Sequence, residues 1–272
     1  MATTLCDILI VTEKLWPGSE AESWDAVGLV SGDPAALVTS ISLAVDAVLD
    51  TVAEAIASGA GLLLTHHPLL LRGVTTVAED RYKGAVLARL IRGNCALIAA
   101  HTNADVVETG TSATLAARLG LTDIRPLVAS GSAERGIGRV GQLPKPTTLG
   151  RLARQLADIL PPTASGIRAA GDYDAPVSTV ALCAGAGDAF LGLPDVLAAD
   201  VYITSDLRHH PASESRENAK IGAGPALLDI SHWASEWLWL DTAAEQLHAA
   251  LPGVTVTVSE LRTDPWDFLV VQ

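Results

Sequence analysis

Along the chain, short apolar runs alternate with longer Ala-rich stretches whose apolar positions recur every three or four residues, which predicts strands alternating with helices. Residues 41–46 read as a strand, 48–57 as a helix and 62–65 as a second strand, with Gly59-Ala60-Gly61 as the stop between the last two. A helix over about 80–92 ends at Gly93-Asn94, and 95–100 form a buried strand that runs straight into His101-Thr102-Asn103-Ala104-Asp105. Residues 127–146 are rich in Gly, Ser and Pro, contain one short strand-like piece, and are where the chain is expected to cross between domains. The alternation then resumes with a helix at 147–159, strands at 177–183, 201–204 and 226–230, and a helix at 233–250. Gly185-Ala186-Gly187 is expected to be a tight turn. Leu62-Leu63-Leu64-Thr65-His66-His67-Pro68 has a weak echo in Val201-Tyr202-Ile203-Thr204 with His209-His210-Pro211, a hint that the halves share an architecture. The predicted fold class is α/β, as two similar three-layer α/β/α domains spanning 1–128 and 129–272.

Composition narrows the class. At 272 residues the chain exceeds the usual single domain, and with 49% apolar and 18% charged residues it can bury a substantial core without long disorder. No apolar run is long enough to span a bilayer without a charge or glycine, and the first ten residues lack a basic segment followed by a cleavable apolar stretch. Membrane association is therefore not expected, and a cytoplasmic location is. Cys6, Cys95 and Cys183 are odd in number and widely spaced among apolar neighbours, as reduced buried thiols would be. A net charge of −13 disfavours nucleic acid as a partner, although a bound cation could still attract a small anionic substrate locally.

The candidate chemistry lies at strand ends. Of seven histidines, six fall in four short segments at or just beyond the C-terminal ends of predicted strands, where α/β folds place ligands. His66 and His67, followed by Pro68, point two imidazoles in different directions from one rigid turn, as a pair of neighbouring metal ions would require; surface His-His pairs are also common. His232 and Glu236 are four apart on a predicted helix and so share a face, able to grip one ion or two adjacent ions; the alternative is a helix-start histidine beside a solvated carboxylate. Asp105 would add a hard oxygen to imidazoles, a mixture suited to Zn, Mn, Fe or Co better than to Ca or Mg. It could instead cap the next helix, but Thr109, Thr111 and Ser112 are closer to that helix.

Five ordered motifs together resemble the dinuclear metal-centre hexameric family, interacting-factor-three-like proteins that include GTP cyclohydrolase I type 2 homologues. They begin with Glu22-Ser23-Trp24-Asp25-Ala26-Val27-Gly28-Leu29 and continue through Leu64-Thr65-His66-His67-Pro68-Leu69 and His101-Thr102-Asn103-Ala104-Asp105. They close with the stretch from Ala199 to His210 and with Asp229-Ile230-Ser231-His232-Trp233-Ala234-Ser235-Glu236. The resemblance implies two divalent metal ions per chain in the cleft between domains. His66 and His67 would bind different ions, Asp105 would join one, His232 the other, and Glu236 would bridge both. His101, Asp206, His209 and His210 would orient ligands or touch substrate. It also implies a homohexamer, to which Trp233, Trp237 and Trp239 on the last helix could contribute buried surface. Ala26 stands where the family commonly has Asn, Ala104 where it has Leu, and Ser205 and Ser231 where it has Gly; none of these removes a ligand. The inserted middle domain of many relatives has no counterpart in a chain of this length.

The expected activity is metal-dependent hydrolysis, in which a water shared by two ions attacks a nucleotide-like substrate such as GTP. No Walker-type glycine loop or basic phosphate clamp accompanies it, and Gly185-Ala186-Gly187-Asp188 reads as a turn rather than a phosphate cradle. The competing expectation is a non-catalytic metal-binding adaptor or regulatory protein, distinguished by a site closed entirely with protein ligands.

Overall fold

A computed structural model describes residues 2–271. In chain order its elements are α1 (Leu5–Leu15), β1 (Gly28–Ser31), β2 (Ser40–Ala44), α2 (Leu49–Ala57), β3 (Leu62–Thr65), α3 (Tyr82–Arg92), β4 (Ala96–Ala99), α4 (Thr102–Asp105) and α5 (Thr111–Arg118). Then come β5 (Thr122–Arg125), β6 (Val128–Ser130), β7 (Ser132–Ile137), β8 (Arg139–Thr148), α6 (Leu149–Ile159), β9 (Arg168–Ala170), β10 (Pro176–Ala186) and α7 (Pro194–Leu197). The chain closes with β11 (Val201–Ser205), α8 (His209–Lys220), β12 (Ala226–Ile230), α9 (His232–Ala250) and β13 (Thr255–Val258).

These elements form two α/β units, one running to Ala104 and taking back Leu240–Thr263, the other made of Asp105–Trp239 and the residues from Asp264 onward. The first is built on a five-stranded sheet in the order β1-β4-β3-β2-β13, in which β13, β2, β3 and β4 are parallel and β1 is an antiparallel edge. Its central strands are mostly apolar, and every residue of β3 and β4 is buried, as expected where helices cover a parallel sheet. Val52 and Ala55 of α2, Val86 and Leu90 of α3, and Leu63 and Leu97 of the sheet make one core cluster. Each fully buried aliphatic side chain of this kind contributes about 1.5–3 kcal/mol. Leu5–Leu15 is helical because Thr4 and Asp7 form a reciprocal cap: the Asp7 amide donates to Thr4 Oγ1 at 3.2 Å and the Thr4 amide to Asp7 Oδ2 at 2.8 Å.

The second unit has a six-stranded sheet in the order β5-β8-β10-β11-β12-β9, with β10, β11 and β12 parallel at its centre, and a separate β6-β7 pair. Val140, Ala181, Cys183, Tyr202 and Leu227 of its strands pack together with Val196 of α7. A boundary at 128/129 does not describe these units, because partners distant in sequence override the local pattern. Strand β5 pairs antiparallel with β8, which brings residues 122–125 into the second sheet, and β13 pairs with β2 and returns the C-terminal stretch to the first. The expected crossing at 127–146 is instead three strands, β6 to β8. Gly136 and Gly138, with φ of 147° and 63°, supply the bends that made this stretch read as loop. Strand β10 likewise runs on through Gly185 and Ala186, where a turn was expected, with a register shift between Leu182 and Ala186.

Of the three tryptophans on α9, Trp233 and Trp239 are buried and Trp237 is half-buried, with the Trp233 and Trp237 rings 6.3 Å apart. Among the described residues no helix is long and apolar enough to cross a membrane.

Candidate metal centre

In the first unit the parallel arrangement brings the C-terminal ends of β2, β3 and β4 to one edge, and the residues just past them carry the site. The ladder continues beyond the strands: the His66 amide donates to Ala44 O, the His67 amide to Val45 O and the Ala100 amide to Thr65 O. This fixes the backbone on which His66, His67 and His101 stand. Their rings are 5.2–5.6 Å apart, and one ligand atom from each lies within 4.8 Å of the others, a spacing that could hold a metal ion.

Each of the three imidazoles is oriented by an oxygen on Nδ1. His66 Nδ1 lies 2.8 Å from Ala100 O, His67 Nδ1 2.7 Å from Asp46 Oδ1, and His101 Nδ1 2.9 Å from Asp25 Oδ1. A carbonyl oxygen can only accept, so the His66 proton sits on Nδ1 and the lone pair on Nε2; ionised carboxylates impose the same tautomer on the other two. Asp25 is itself anchored, its Oδ2 accepting from the Thr102 amide at 3.0 Å and from the Thr102 hydroxyl. Burial pushes the Asp25 carboxyl up, but the bonds from His101 and Thr102, the His101 charge and the Ala26 amide outweigh it and hold it far below the usual carboxylate range.

In the second unit β10, β11 and β12 end together, which places Gly185, Asp206 and His232 at one edge. Asp206 has a φ of 57°, a left-handed conformation that Asp tolerates better than most residues. Its Oδ2 lies 2.7 Å from His232 Nδ1, and His232 Nε2 lies 2.9 Å from Glu236 Oε1 one helical turn on. Burial alone would lower the His232 pKa, but the Glu236 charge and the bonds to Asp206 and Glu236 raise it well above the ordinary value. The bond to His232 lowers Asp206. The Glu236 side chain is 5% exposed, and Gly185 lies against it. A Cβ at residue 185 would lie 2.4 Å from Glu236 Oε1 and 3.3 Å from His232 Nε2. The Gly185 amide donates to Ser235 Oγ at 2.9 Å, tying the strand end to the same helix.

Asp105 closes α4, and its Oδ1 accepts a bond from the Thr111 hydroxyl. Nearby, Arg139 is buried and donates to the carbonyls of Gly136, Gly138 and Val107. His101, expected to orient ligands or touch substrate, stands among the histidines that could hold an ion, while the Asp206 carboxylate is hydrogen-bonded to His232 Nδ1. His209 and His210 open α8 on the exposed surface with their rings 5.2 Å apart. Sequence reading gave no role to Asp25 or Asp46. Both had a signal, Asp25 inside the first motif and Asp46 at the C-terminal end of a predicted strand. The donors of each unit are of kinds that suit a borderline divalent ion: in the first, imidazoles pre-set to present Nε2; in the second, a buried carboxylate from which a glycine keeps the strand backbone clear.

A family model described as Duf34/NIF3 (NGG1p interacting factor 3) matches residues 3–265. A Streptomyces coelicolor protein named GTP cyclohydrolase 1 type 2 homolog is 46% identical over 269 residues, covering 96% of this chain and 93% of that protein. A Mycobacterium tuberculosis protein of the same name is 36% identical across 98% of this chain and 97% of its own length. That alignment runs over 383 positions, so the relative carries residues that this 272-residue chain lacks. Among solved structures, the Staphylococcus aureus hypothetical protein SA1388 superposes with a TM-score of 0.88 at 25% identity, covering 99% of this chain and 100% of the other. A Bacillus cereus protein related to NIF3 has the same fold, with a TM-score of 0.87 at 21% identity, over 98% of this chain and 99% of the other. With nearly all of its length matched by these relatives and by the family model, the chain belongs to the Duf34/NIF3 family.

Proposed function

We propose that this protein is a metal-dependent hydrolase that binds two divalent ions per chain through His66, His67, Asp105, His232 and Glu236 and acts on a nucleotide-like substrate. The observation that carries the reading is the common treatment of four histidines, each with Nδ1 held by an oxygen 2.7–2.9 Å away. Structural histidines have no need of this uniform tautomer, whereas metal-binding ones do. His101 is the one addition to the expected ligands, because its ring stands with His66 and His67.

Bound Zn, Fe, Mn or Co would supply Lewis-acid polarisation and lower the pKa of a coordinated water toward neutrality. The chain's own residues do the rest. Asp46, Asp25 and Asp206 keep three imidazoles in the ligating tautomer and stabilise positive charge placed on them. Glu236, buried against His232, supplies the anionic charge that a cation replaces a proton to meet. With six protein donors for two ions, His101 included, coordination positions remain for solvent or substrate, which supports a catalytic over a purely structural role. The nucleotide assignment draws on relatives named GTP cyclohydrolase 1 type 2 homolog, and the homohexamer on the family resemblance.

Elemental analysis of purified protein should give about two transition-metal equivalents per chain, lowered more by E236A than by H209A. Metal-loaded protein should release formate or phosphate from GTP or a related nucleotide in a chelator-sensitive reaction. Full metal content in E236A would remove the ligand assignment. Fully loaded protein that hydrolyses no nucleotide or phosphodiester would leave the adaptor role. Light scattering that gives the mass of one chain at micromolar concentration would remove the hexamer.

A further inference from the structure

Beyond β13 the described residues form no regular secondary structure, yet two consecutive ones are held by side-chain bonds that reach behind the proposed ligands. Thr263 Oγ1 donates to Asp46 Oδ2 at 2.5 Å, while Asp46 Oδ1 receives His67 Nδ1 at 2.7 Å. Asp264 Oδ2 accepts from Ser231 Oγ at 2.5 Å, and Ser231 Oγ in turn accepts from the Ala234 amide at 3.2 Å in the first turn of α9. His232 is the next residue after Ser231, and Glu236 lies one turn further.

Neither contact is idle geometrically. The terminal torsion of an Asp side chain is broad, so one hydrogen bond leaves its carboxylate free to swing. The Asp46 carboxylate is instead pinned at both oxygens, and the Thr263 bond keeps Oδ1 aimed at His67. A serine hydroxyl also rotates freely, and donation to Asp264 turns its lone pair toward the Ala234 amide, which caps the turn that carries His232.

We propose that Thr263 and Asp264 are positioning residues of the metal centre, Thr263 fixing His67 through Asp46 and Asp264 fixing the start of α9 through Ser231. This rests on the metal reading above. The dipeptide sets ligand orientation without itself ligating.

The test is zinc affinity, by competition with a chromophoric chelator, together with the visible spectrum of the cobalt-substituted full-length protein and the melting point of the metal-free form. T263V should weaken zinc binding about 10- to 100-fold and shift the cobalt bands, as losses behind a ligand do, while T263S, which keeps the hydroxyl, should restore both. In a D46A background T263V should add no further loss, because the two act in series. D264A should weaken binding, and D264N, which can still accept from Ser231, should weaken it less. Should T263V fail to fold, S231A tests the second arm with Thr263 intact. Parental zinc affinity and parental cobalt spectra in T263V, D264A and S231A would overturn the proposal, whatever happened to their melting points. A parent protein that binds no zinc would instead overturn the metal reading itself.

Discussion

Replacing Gly185 with alanine separates backbone strain from damage to the site. Gly185 has a φ of 75°, and a non-glycine residue there costs about 1–2 kcal/mol. Its new methyl would also sit 2.4 Å from Glu236 Oε1, so the carboxylate must retreat by roughly 1 Å to reach ordinary contact, several times the ~0.2 Å tolerance of a metal–ligand distance. Glu236 has little room for this, being 4% exposed with Oε1 held 2.9 Å from His232 Nε2. Metal-free G185A should therefore melt about 2–8 °C lower and bind zinc at least about tenfold more weakly. The control is Gly59, with a φ of 74° and nothing within 4 Å of an added Cβ: G59A should lose similar stability and keep parental zinc affinity. Calorimetry and chelator competition on the pair read the two effects separately. Equal zinc affinity in G185A and G59A would refute the placement of Gly185 against a metal-binding carboxylate.

Other outcomes follow from buried groups. In native protein at pH 8 a thiol reagent should titrate Cys6 alone, with Cys95 and Cys183 reacting only after denaturation, because both are buried and burial pushes the Cys95 thiol up to about 11 and the Cys183 thiol higher still. Since the unfolded Cys95 thiol ionises near its ordinary value while the folded one stays protonated, stability should fall as pH rises from about 9 to about 11, a fall that C95A should lessen in urea melts. R139M should cost about 3 kcal/mol or more, because three backbone carbonyls lose their guanidinium donor, and R139K should recover only part of it in the same melts. L63A should destabilise the first unit by about 2–5 kcal/mol in thermal or urea unfolding; a change below 1 kcal/mol would contradict the packing of β3.

Local pattern carried much of this protein. Buried parallel strands such as β3 and β4 are short, almost wholly apolar runs, and amphipathic helices such as α2 and α6 repeat every three or four residues, so both are legible within a window of ten residues. The positions of the histidines were legible for the same reason: His66 and His101 follow strand ends of the first sheet and His232 one of the second, and within each parallel array such ends share an edge. Glu236 was legible through its helical spacing from His232. What needed the tertiary structure was every feature set by a partner far along the chain. Strand β13 joins the first sheet through β2, and β5 the second through β8, neither of which a local window can register. Asp25 bonds to His101 across 76 positions, and Thr263 to Asp46 across 217, so their roles exist only once the sheet edge has been assembled. The Gly- and Pro-rich strands at 128–148 read as loop because residues that permit bends also mark turns, and only pairing with a neighbour tells the two apart. Sequence thus marked side chains of metal-ligating type at strand ends, since that is a property of residue type, but not that His101 would stand with His66 and His67. Tertiary structure decided which nitrogen each histidine presents, because the oxygen that orients Nδ1 comes in most cases from elsewhere in the fold.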